Sequence, residues 1–576
     1  MKRFPNKLYQ FVAAACLPMT LTAQAQLEEV IVTAQKRAES LQDVPISIST
    51  VSGEKIQDNT IVNFAALADF VPSLHIADAS VNTNIYMRGI GSGNNRGFEQ
   101  SVGMYLDGVY LGRGRQYRSG LMDIERVEVL RGPQGTLFGK NTVAGAINIT
   151  TASPVVGEGA SGEVNVSVEE NGGSIAEGFI QGGGETFAAR LALRSRETDG
   201  YVYNAFLDQD EGAIEEFGGR VTLVWEPTDS FSANLKYTYM ERDRDGSNSA
   251  TWRYLSPAER AGEVPQRTAF ANTAYQVMDV FFPTFPSIVG QDFTTYKDNN
   301  YGQSKDDGIG IGLKPDSSED ELENLSLTMT WEVGNGTLTS VTGFAAYEYF
   351  DDVDVDWLPL QFIDRSDIHD FEQFSQEIRW TADIGDRFTY TLGGYIDQNE
   401  LDSKGQVVID TNFDGLFPAF LALANGLPPA AAAQMPQNLL AALTAGNPLN
   451  GIPGYGGGYS ANQVSRNHNF TQDTDSWALF AQGTYDLTDA LRLTLGVRYT
   501  EEEKDAISDQ KLGDSLCGIT GNLEGGTMGQ CGAYNNWLAV LQATNFDSYN
   551  NYWVGSRKTD DFSPSVNLQW DVSDNT

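Results

Sequence analysis

Histidine and cysteine are both scarce, at three residues each in a chain of 576. His75, His369 and His468 are far apart and none has a cysteine nearby, and no G-x-S-x-G or H-E-x-x-H occurs. Gly308, Gly310 and Gly312 form only G-x-G-x-G, so neither a catalytic centre nor a resident cofactor or metal is expected. Basic charge is also in deficit: 38 Lys and Arg stand against 77 Asp and Glu, a net charge of -39. Such a chain repels phosphates, which excludes nucleic acid as a partner. Long apolar runs are missing as well. No stretch beyond the first residues reaches the 18 needed for a transmembrane helix, so membrane residence would require a β-barrel.

The first residues read as a secretory signal. Lys2, Arg3 and Lys7 precede the apolar stretch Phe11 to Leu17, and Ala23-Gln24-Ala25 supplies a small-x-small cleavage site. Cleavage is expected after Ala25, giving a signal peptide of 1–25. A lipoprotein reading through Cys16 would truncate the apolar region. With Cys16 removed, Cys517 and Cys531 remain in an oxidising compartment, where a pair at short spacing reads as a loop disulfide.

What the chain has in quantity is glycine (59) and aromatics (29 Phe, 24 Tyr, 9 Trp), the material of strands and turns. Residues 41–153 read as a small α+β domain: Val44, Ile46 and Ile48 alternate, a helical pattern runs from Thr60 through Leu67 to Pro72, and short strands with Gly-rich turns follow. From residue 160 to 576 the pattern becomes alternating segments of about ten residues, about twelve in all, as in an antiparallel transmembrane β-barrel. Short turns near Asp229, Asn335, Gly385 and Asp489 alternate with long connections over 244–320, 351–372, 402–473 and 504–559. That alternation matches periplasmic turns and extracellular loops. The chain closes on Trp570-Asp571-Val572-Ser573-Asp574-Asn575-Thr576, which reads as another periplasmic turn. The expectation is a partial barrel whose C-terminal strands, roughly 200 to 350 residues for about 22 strands, are missing.

Two runs carry a family resemblance. Met122 to Ile149 (MDIERVEVLRGPQGTLFGKNTVAGAINI) and, before it, Val102 to Tyr110 (VGMYLDGVY) are similar to the plug signature of TonB-dependent outer-membrane receptors. Ahead of them, Glu28, Glu29, Val30, Ile31, Val32, Thr33 and Ala34 resemble a TonB box within a linker of 26–40, a β-branched segment able to add to a partner's sheet edge. The resemblance implies a bacterial outer-membrane transporter without enzymatic activity. Its partners would be TonB with the inner-membrane energising complex, outer-membrane lipid and lipopolysaccharide, and a ligand, foremost a ferric siderophore, with cobalamin or an oligosaccharide as alternatives. A passive porin or adhesin is the rival class, but a porin has no use for a plug or a TonB box, and an adhesin none for Arg-rich interior loops.

The plug region is an electrostatic exception. Residues 86–140 hold eight basic groups against five acidic ones within an acidic chain. Arg88, Arg96, Tyr110, Arg113, Arg115, Tyr117 and Arg118 lie in Gly-punctuated loops and are the candidates for an anionic iron chelate, since guanidinium forks suit such groups. The resemblance makes Arg126 and Arg131 candidates for pairing with barrel-wall carboxylates. Asp410 to Gly415 resembles half a calcium loop, but Leu421 stands where a bidentate Glu is needed, so it reads as a turn. The run Asp351 to Asp356, like Asp306 and Asp307, reads as a hydrated loop start at the outer rim.

Overall fold

The computed structural model describes residues 31–33, 35–37, 39–42, 44–78, 83–93, 97, 99–118, 120–169, 172–200, 202–204, 209–245, 309–310, 317–354, 363–409, 464–512 and 551–572. The chain divides into two compact units, one up to Val44 and one from Pro45. In the first, β1 (Ile31–Val32) pairs antiparallel with β2 (Glu39–Ser40), and Lys36, at φ 58°, donates its N–H to the Thr33 carbonyl at 2.8 Å to turn the chain.

The second unit opens with a small α+β assembly. It comprises β3 (Ile48–Ser52), α1 (Gly53–Asp58), α2 (Phe64–Ala68), β4 (Leu74–Asp78), β5 (Thr83–Met87), β6 (Ile90–Gly91), β7 (Val102–Leu106), β8 (Val109–Leu111), a 3-10 helix (Gly114–Tyr117), β9 (Ile124–Arg131) and β10 (Gly145–Thr151). The main sheet runs β3-β9-β10-β7-β8, with β10 parallel to β7 and the other pairs antiparallel, while β4, β5 and β6 form a second sheet. Alternation explains the core: Val127 and Val129 of β9 are buried against Ile147 and Ile149 of β10 and Met104 of β7. The other face of β9 is not solvent, contrary to what its charges suggest. Glu128 is fully buried and accepts from Arg126 Nε at 2.9 Å and Asn148 Nδ2 at 3.3 Å.

Two local signals set key turns. Asp107 (φ 49°) and Gly108 (φ 85°) join β7 to β8 in the Asp-Gly manner that a two-residue hairpin favours. Ser52 caps α1 by accepting the Lys55 N–H at 3.2 Å, and a Cβ at Gly53 would meet the Ile124 carbonyl oxygen, so only glycine lets α1 lie this close to β9.

Twelve antiparallel strands follow as one sheet, in the order β11 (Ser161–Val168), β12 (Ser174–Gly183), β13 (Phe187–Thr198), β16 (Ala213–Thr228), β17 (Phe231–Asp245), β19 (Ser317–Val333), β20 (Gly336–Asp354), β21 (Ile363–Ile384), β22 (Phe388–Ile409), β23 (Val464–Thr488), β24 (Leu491–Leu512) and β25 (Asn551–Trp570). The short strands β14 (Val202–Asn204), β15 (Gln209–Glu211) and β18 (Ile309–Gly310) pair separately. Turns of a few residues join alternate strands, as the sequence predicts. The β11–β12 connection departs from the alternation, because it is short at the end where the others are long.

The wall is two-faced. Outward positions near the short turns carry an aromatic girdle: Phe231 packs between Trp225 and Trp331 at ring-centroid separations of 5.6 and 4.7 Å, and Trp380 donates to the Tyr390 hydroxyl at 3.2 Å. Exposed Leu191, Val221, Phe344, Phe374, Ile378 and Leu479 belong to the apolar band of a lipid-facing surface. Toward the long loops the outward positions turn acidic. Glu241, Glu321, Glu348, Asp370 and Asp402 stand directly opposite one another across β17, β19, β20, β21 and β22. A second ladder, Glu372, Glu400, Asp473 and Asp505, crosses β21 to β24.

Candidate functional site: the interface between plug and wall

The inner face of the wall is polar and buried against the α+β assembly, which therefore acts as a plug. Contact begins near the short turns. Arg190, close to the start of β13, donates to Asp123 at 2.9 Å, Arg194 donates to the Leu121 carbonyl at 2.8 Å, and Arg220 of β16 to the Met122 carbonyl at 2.7 Å. The wall arginines thus satisfy plug carbonyls that strand pairing leaves over. One level further, Lys236 of β17 bridges Asp107 at 2.8 Å and the Thr151 carbonyl at 2.7 Å. Burial alone would raise the Asp107 carboxyl, but the Lys236 ammonium and then the Arg220 guanidinium hold it below its usual range.

Apolar contact is concentrated on β20. Ala345 belongs to the plug's own core cluster, Val341 lies against Gly108, and Val109 packs where a side chain at Gly343 would otherwise stand. At mid-height Lys140, in the segment between β9 and β10, reaches Glu502 Oε2 of β24 at 2.7 Å and Asp397 Oδ2 of β22 at 3.1 Å. Toward the long loops, Arg115 of the 3-10 helix pairs with Asp351 of β20 and lies 3.4 Å from Asp320 of β19, its guanidinium 3.8 Å from the Tyr349 ring centroid. Arg118 meets Asp320 at 3.5 Å and Ser318 at 3.4 Å.

These placements revise the expected roles. Arg113, Arg115 and Arg118 are not an open basic surface: all three are buried, Arg115 and Arg118 on wall carboxylates, and Arg113 donating to the Gly97 carbonyl at 3.0 Å with Phe371 beneath it. The reason is local. The 3-10 helix turns its arginines outward from the plug, and β19 and β20 present acidic side chains on their inner faces at that height. Burial would lower the Arg115 guanidinium, but Asp351 foremost holds it above its ordinary value. Tyr110 and Tyr117 are buried too: Asn141 donates to the Tyr110 hydroxyl at 3.0 Å, and Tyr117 donates to the Leu111 carbonyl at 2.7 Å.

Arg88 is exposed, with φ 52°, and its guanidinium reaches Gly132. Arg126 pairs with Glu125 and Glu128, and Arg131 donates to the Pro72 carbonyl at 3.1 Å and to Ser47 and Ser49, so these contacts lie inside the plug. Among the described residues, the plug side chains seen on wall carboxylates are Arg115, Arg118 and Lys140. Asp351 is likewise corrected from a hydrated loop start to a buried counter-ion. Arg96, most of the 28–34 segment, Cys517, Cys531 and the 410–415 turn lie outside the described residues. Missed altogether were the wall residues Arg190, Lys236, Asp320, Asp397 and Glu502. Their signal was a charged side chain on the inward parity of a strand.

Comparison with known proteins agrees with this geometry. Residues 40–146 match the TonB-dependent receptor plug domain, and residues 175–576 match the TonB dependent receptor-like β-barrel. The pesticin receptor of Yersinia pestis is 28% identical over 38% of this chain and 34% of its own length. The vitamin B12 transporter BtuB of Photobacterium profundum is 26% identical over 42% of this chain and 40% of its own. Among solved structures, the ferric yersiniabactin uptake receptor FyuA of Yersinia pestis superposes with a TM-score of 0.60 at 14% identity, over 92% of this chain and 63% of that one. The siderophore receptor PiuA of Acinetobacter baumannii gives 0.58 at 16% identity, over 93% and 64%. The matched stretches thus span about a third of the pesticin receptor and two fifths of the vitamin B12 transporter, and somewhat under two thirds of these two solved structures. A plug and a barrel wall in this order, each matched by its own family model, place the chain in the TonB-dependent receptor family of the bacterial outer membrane.

Proposed function

We propose that this protein imports a scarce ligand, foremost a ferric siderophore, across the outer membrane by TonB-driven displacement of the plug. In this reading residues 1–25 are the signal, 26–40 carry the TonB box, 41–153 are the plug and 160–576 are barrel. The observation that carries it is the character of the plug–wall interface. The plug's apolar core is built almost wholly from its own residues, with Ala345 of β20 joining it, while its attachment rests largely on ion pairs and side chain-to-carbonyl bonds. Such bonds can be exchanged for water, so a plug held this way can be dislodged without unfolding its core. A ligand that binds two plug arrangements unequally supplies the coupling, and the proton-motive force delivered by TonB supplies the work. Likeness to receptors named for iron chelates supports the substrate class.

The test is uptake of labelled ferric chelates, cobalamin and oligosaccharides by cells with and without the protein, each with and without TonB. Import of one ferric chelate that needs both proteins is the expected result. Cobalamin import would favour the second reading, for which the stretch resembling a vitamin B12 transporter speaks. Uptake indifferent to TonB would overturn both and leave a passive porin.

A further inference from the structure

The sheet order of the plug decides what a pull on its N-terminal side can take apart. β3 lies at one edge of the sheet β3-β9-β10-β7-β8 and pairs there with β9 alone, over five residue pairs from Ile48↔Leu130 to Ser52↔Arg126. Drawing β3 away breaks that one ladder and leaves the β9–β10, β10–β7 and β7–β8 ladders whole. What then happens to the rest of the plug depends on how the far side of the sheet is held to the wall.

That side is held where the β7–β8 turn meets the end of β10. Asp107 Oδ1 accepts from the Thr151 N–H at 3.0 Å, and its Oδ2 accepts from the Thr151 hydroxyl at 2.7 Å. The Lys236 ammonium of β17 covers both residues: it donates to Asp107 Oδ1 at 2.8 Å, to the Thr151 carbonyl at 2.7 Å and to the Thr151 hydroxyl oxygen at 2.9 Å. Each of its three N–H bonds thus has an acceptor, and all three side chains are buried. The β9–β10 pairing shifts register between Thr150 and Thr151, and there the Thr151 carbonyl is taken by the ammonium. Two further wall strands close on the same turn, as Ser326 of β19 donates to the Asp107 carbonyl at 2.8 Å and Val341 of β20 lies against Gly108. Just beyond, Asn234 of β17 donates to Ser153 at 3.0 Å, before the chain passes into β11.

We propose that Lys236 is the positioning residue that retains the β7–β10 half of the plug in the barrel against a pull on the N-terminus. By binding the turn and the end of the sheet at once, it converts a pull that would extract the whole plug into one that strips the N-terminal edge. The residue pairs of an edge ladder can open one after another, each worth little net. The ammonium must instead lose three buried bonds together and leave the Asp107 carboxylate without its counter-charge. The edge therefore gives first. The role assigned to Lys236 rests on the TonB-driven displacement proposed above, but on the identity of no ligand.

The experiment is mechanical: the protein in a lipid bilayer is pulled from a single thiol at Ile31→Cys, and force is recorded against extension. In the otherwise unaltered protein the chain before β7 should be paid out first. A separate last step at higher force should then release Val102 to Thr151, about 50 residues or about 170 Å of extended chain. Lys236→Met with Asp107→Asn removes the ammonium and its counter-charge together, so no buried charge is stranded. In that variant the force of the last step should fall to that of the first, while the first stays as it was. A merely structural Lys236 would lower both steps alike. That result, or a last step that keeps its force, overturns the proposal. Because the pull needs neither TonB nor a transported ligand, the two steps as described in a protein that imports nothing with TonB would sink the transport reading and leave Lys236 as the retaining residue.

Discussion

Arg115 and Asp351 meet across 236 residues of sequence, and neither reveals the other locally. Asp351 sits in a run of acidic residues that reads as hydrated. Parity would have corrected that: Tyr347 and Tyr349 are inward on β20, so Asp351 is inward as well and Asp352 is not. Asp351→Asn leaves Arg115 with Asp320 at 3.4 Å, so it should destabilise the plug–wall interface by about 1.5–3 kcal/mol, the worth of a hydrogen bond to a charged group. Pairing it with Arg115→Gln should recover part of that loss in denaturant unfolding of the purified protein; strictly additive losses would show that the two do not act as a pair. The titration of the mid-height cluster is a second residue-scale test. Burial opposes charge on Glu99, but Lys140 first, then Lys504 and Arg113, overrule it and hold the carboxyl well below its usual range. Burial likewise opposes charge on Lys140, and Glu99, Asp397 and Glu502 overrule it upward. A depressed carboxylate stabilises above its unfolded value and is lost only as pH falls through the folded one. A raised ammonium stabilises below its unfolded value and is lost only as pH rises through the folded one. In denaturant unfolding of the purified protein, Glu99 and Lys140 should therefore add no pH dependence between about pH 5 and pH 9, and wild type and Lys140→Gln should show the same pH profile there. A pH dependence in that range that disappears in Lys140→Gln would contradict both directions.

Elements were more legible than side-chain partners. The twelve wall strands follow from alternation and from the turn residues, because one face meets lipid and the other a polar plug. Less legible was α1, whose six residues are too few for a helical period to register and whose cap, Ser52, looks like a strand end. The β11–β12 connection also broke the rule of alternating lengths. At the N-terminus, Ile31 and Val32 already form a strand, paired with Glu39 and Ser40. A segment that pairs within the chain has the backbone needed to pair with a partner's sheet edge, so Val32→Pro, which removes a donor, should abolish TonB-dependent uptake while ligand binding to whole cells survives. Undiminished uptake in that variant would make 28–34 a linker.

On the scale of the whole molecule, the net charge of -39 is not spread evenly. The sequence hints that the acidic residues belong to hydrated loops, yet many stand on the outer face of wall strands, in register. Like charges directly opposite in a sheet destabilise it by a few tenths to about 1 kcal/mol per pair. The five-carboxylate ladder from Glu241 to Asp402 contains four such neighbours, and Lys404 beside Asp402 supplies a counter-charge at one end. Salt acts differently on the two faces of the wall. Exposed carboxylates are screened once the Debye length falls to about 10 Å near 0.1 M, whereas the buried pairs between plug and wall are screened much less. The melting temperature of the purified protein should therefore rise with sodium chloride, although a protein held by ion pairs is ordinarily expected to lose stability. Replacing Glu321 and Glu348 with Gln removes the centre of the ladder and should raise the melting temperature at low salt. The advantage should vanish at high salt, where the wild type is already relieved. A melting temperature that falls as salt is added, with no gain from the two substitutions, would mean that the inner ion pairs and not the outer ladder govern the electrostatics of the wall.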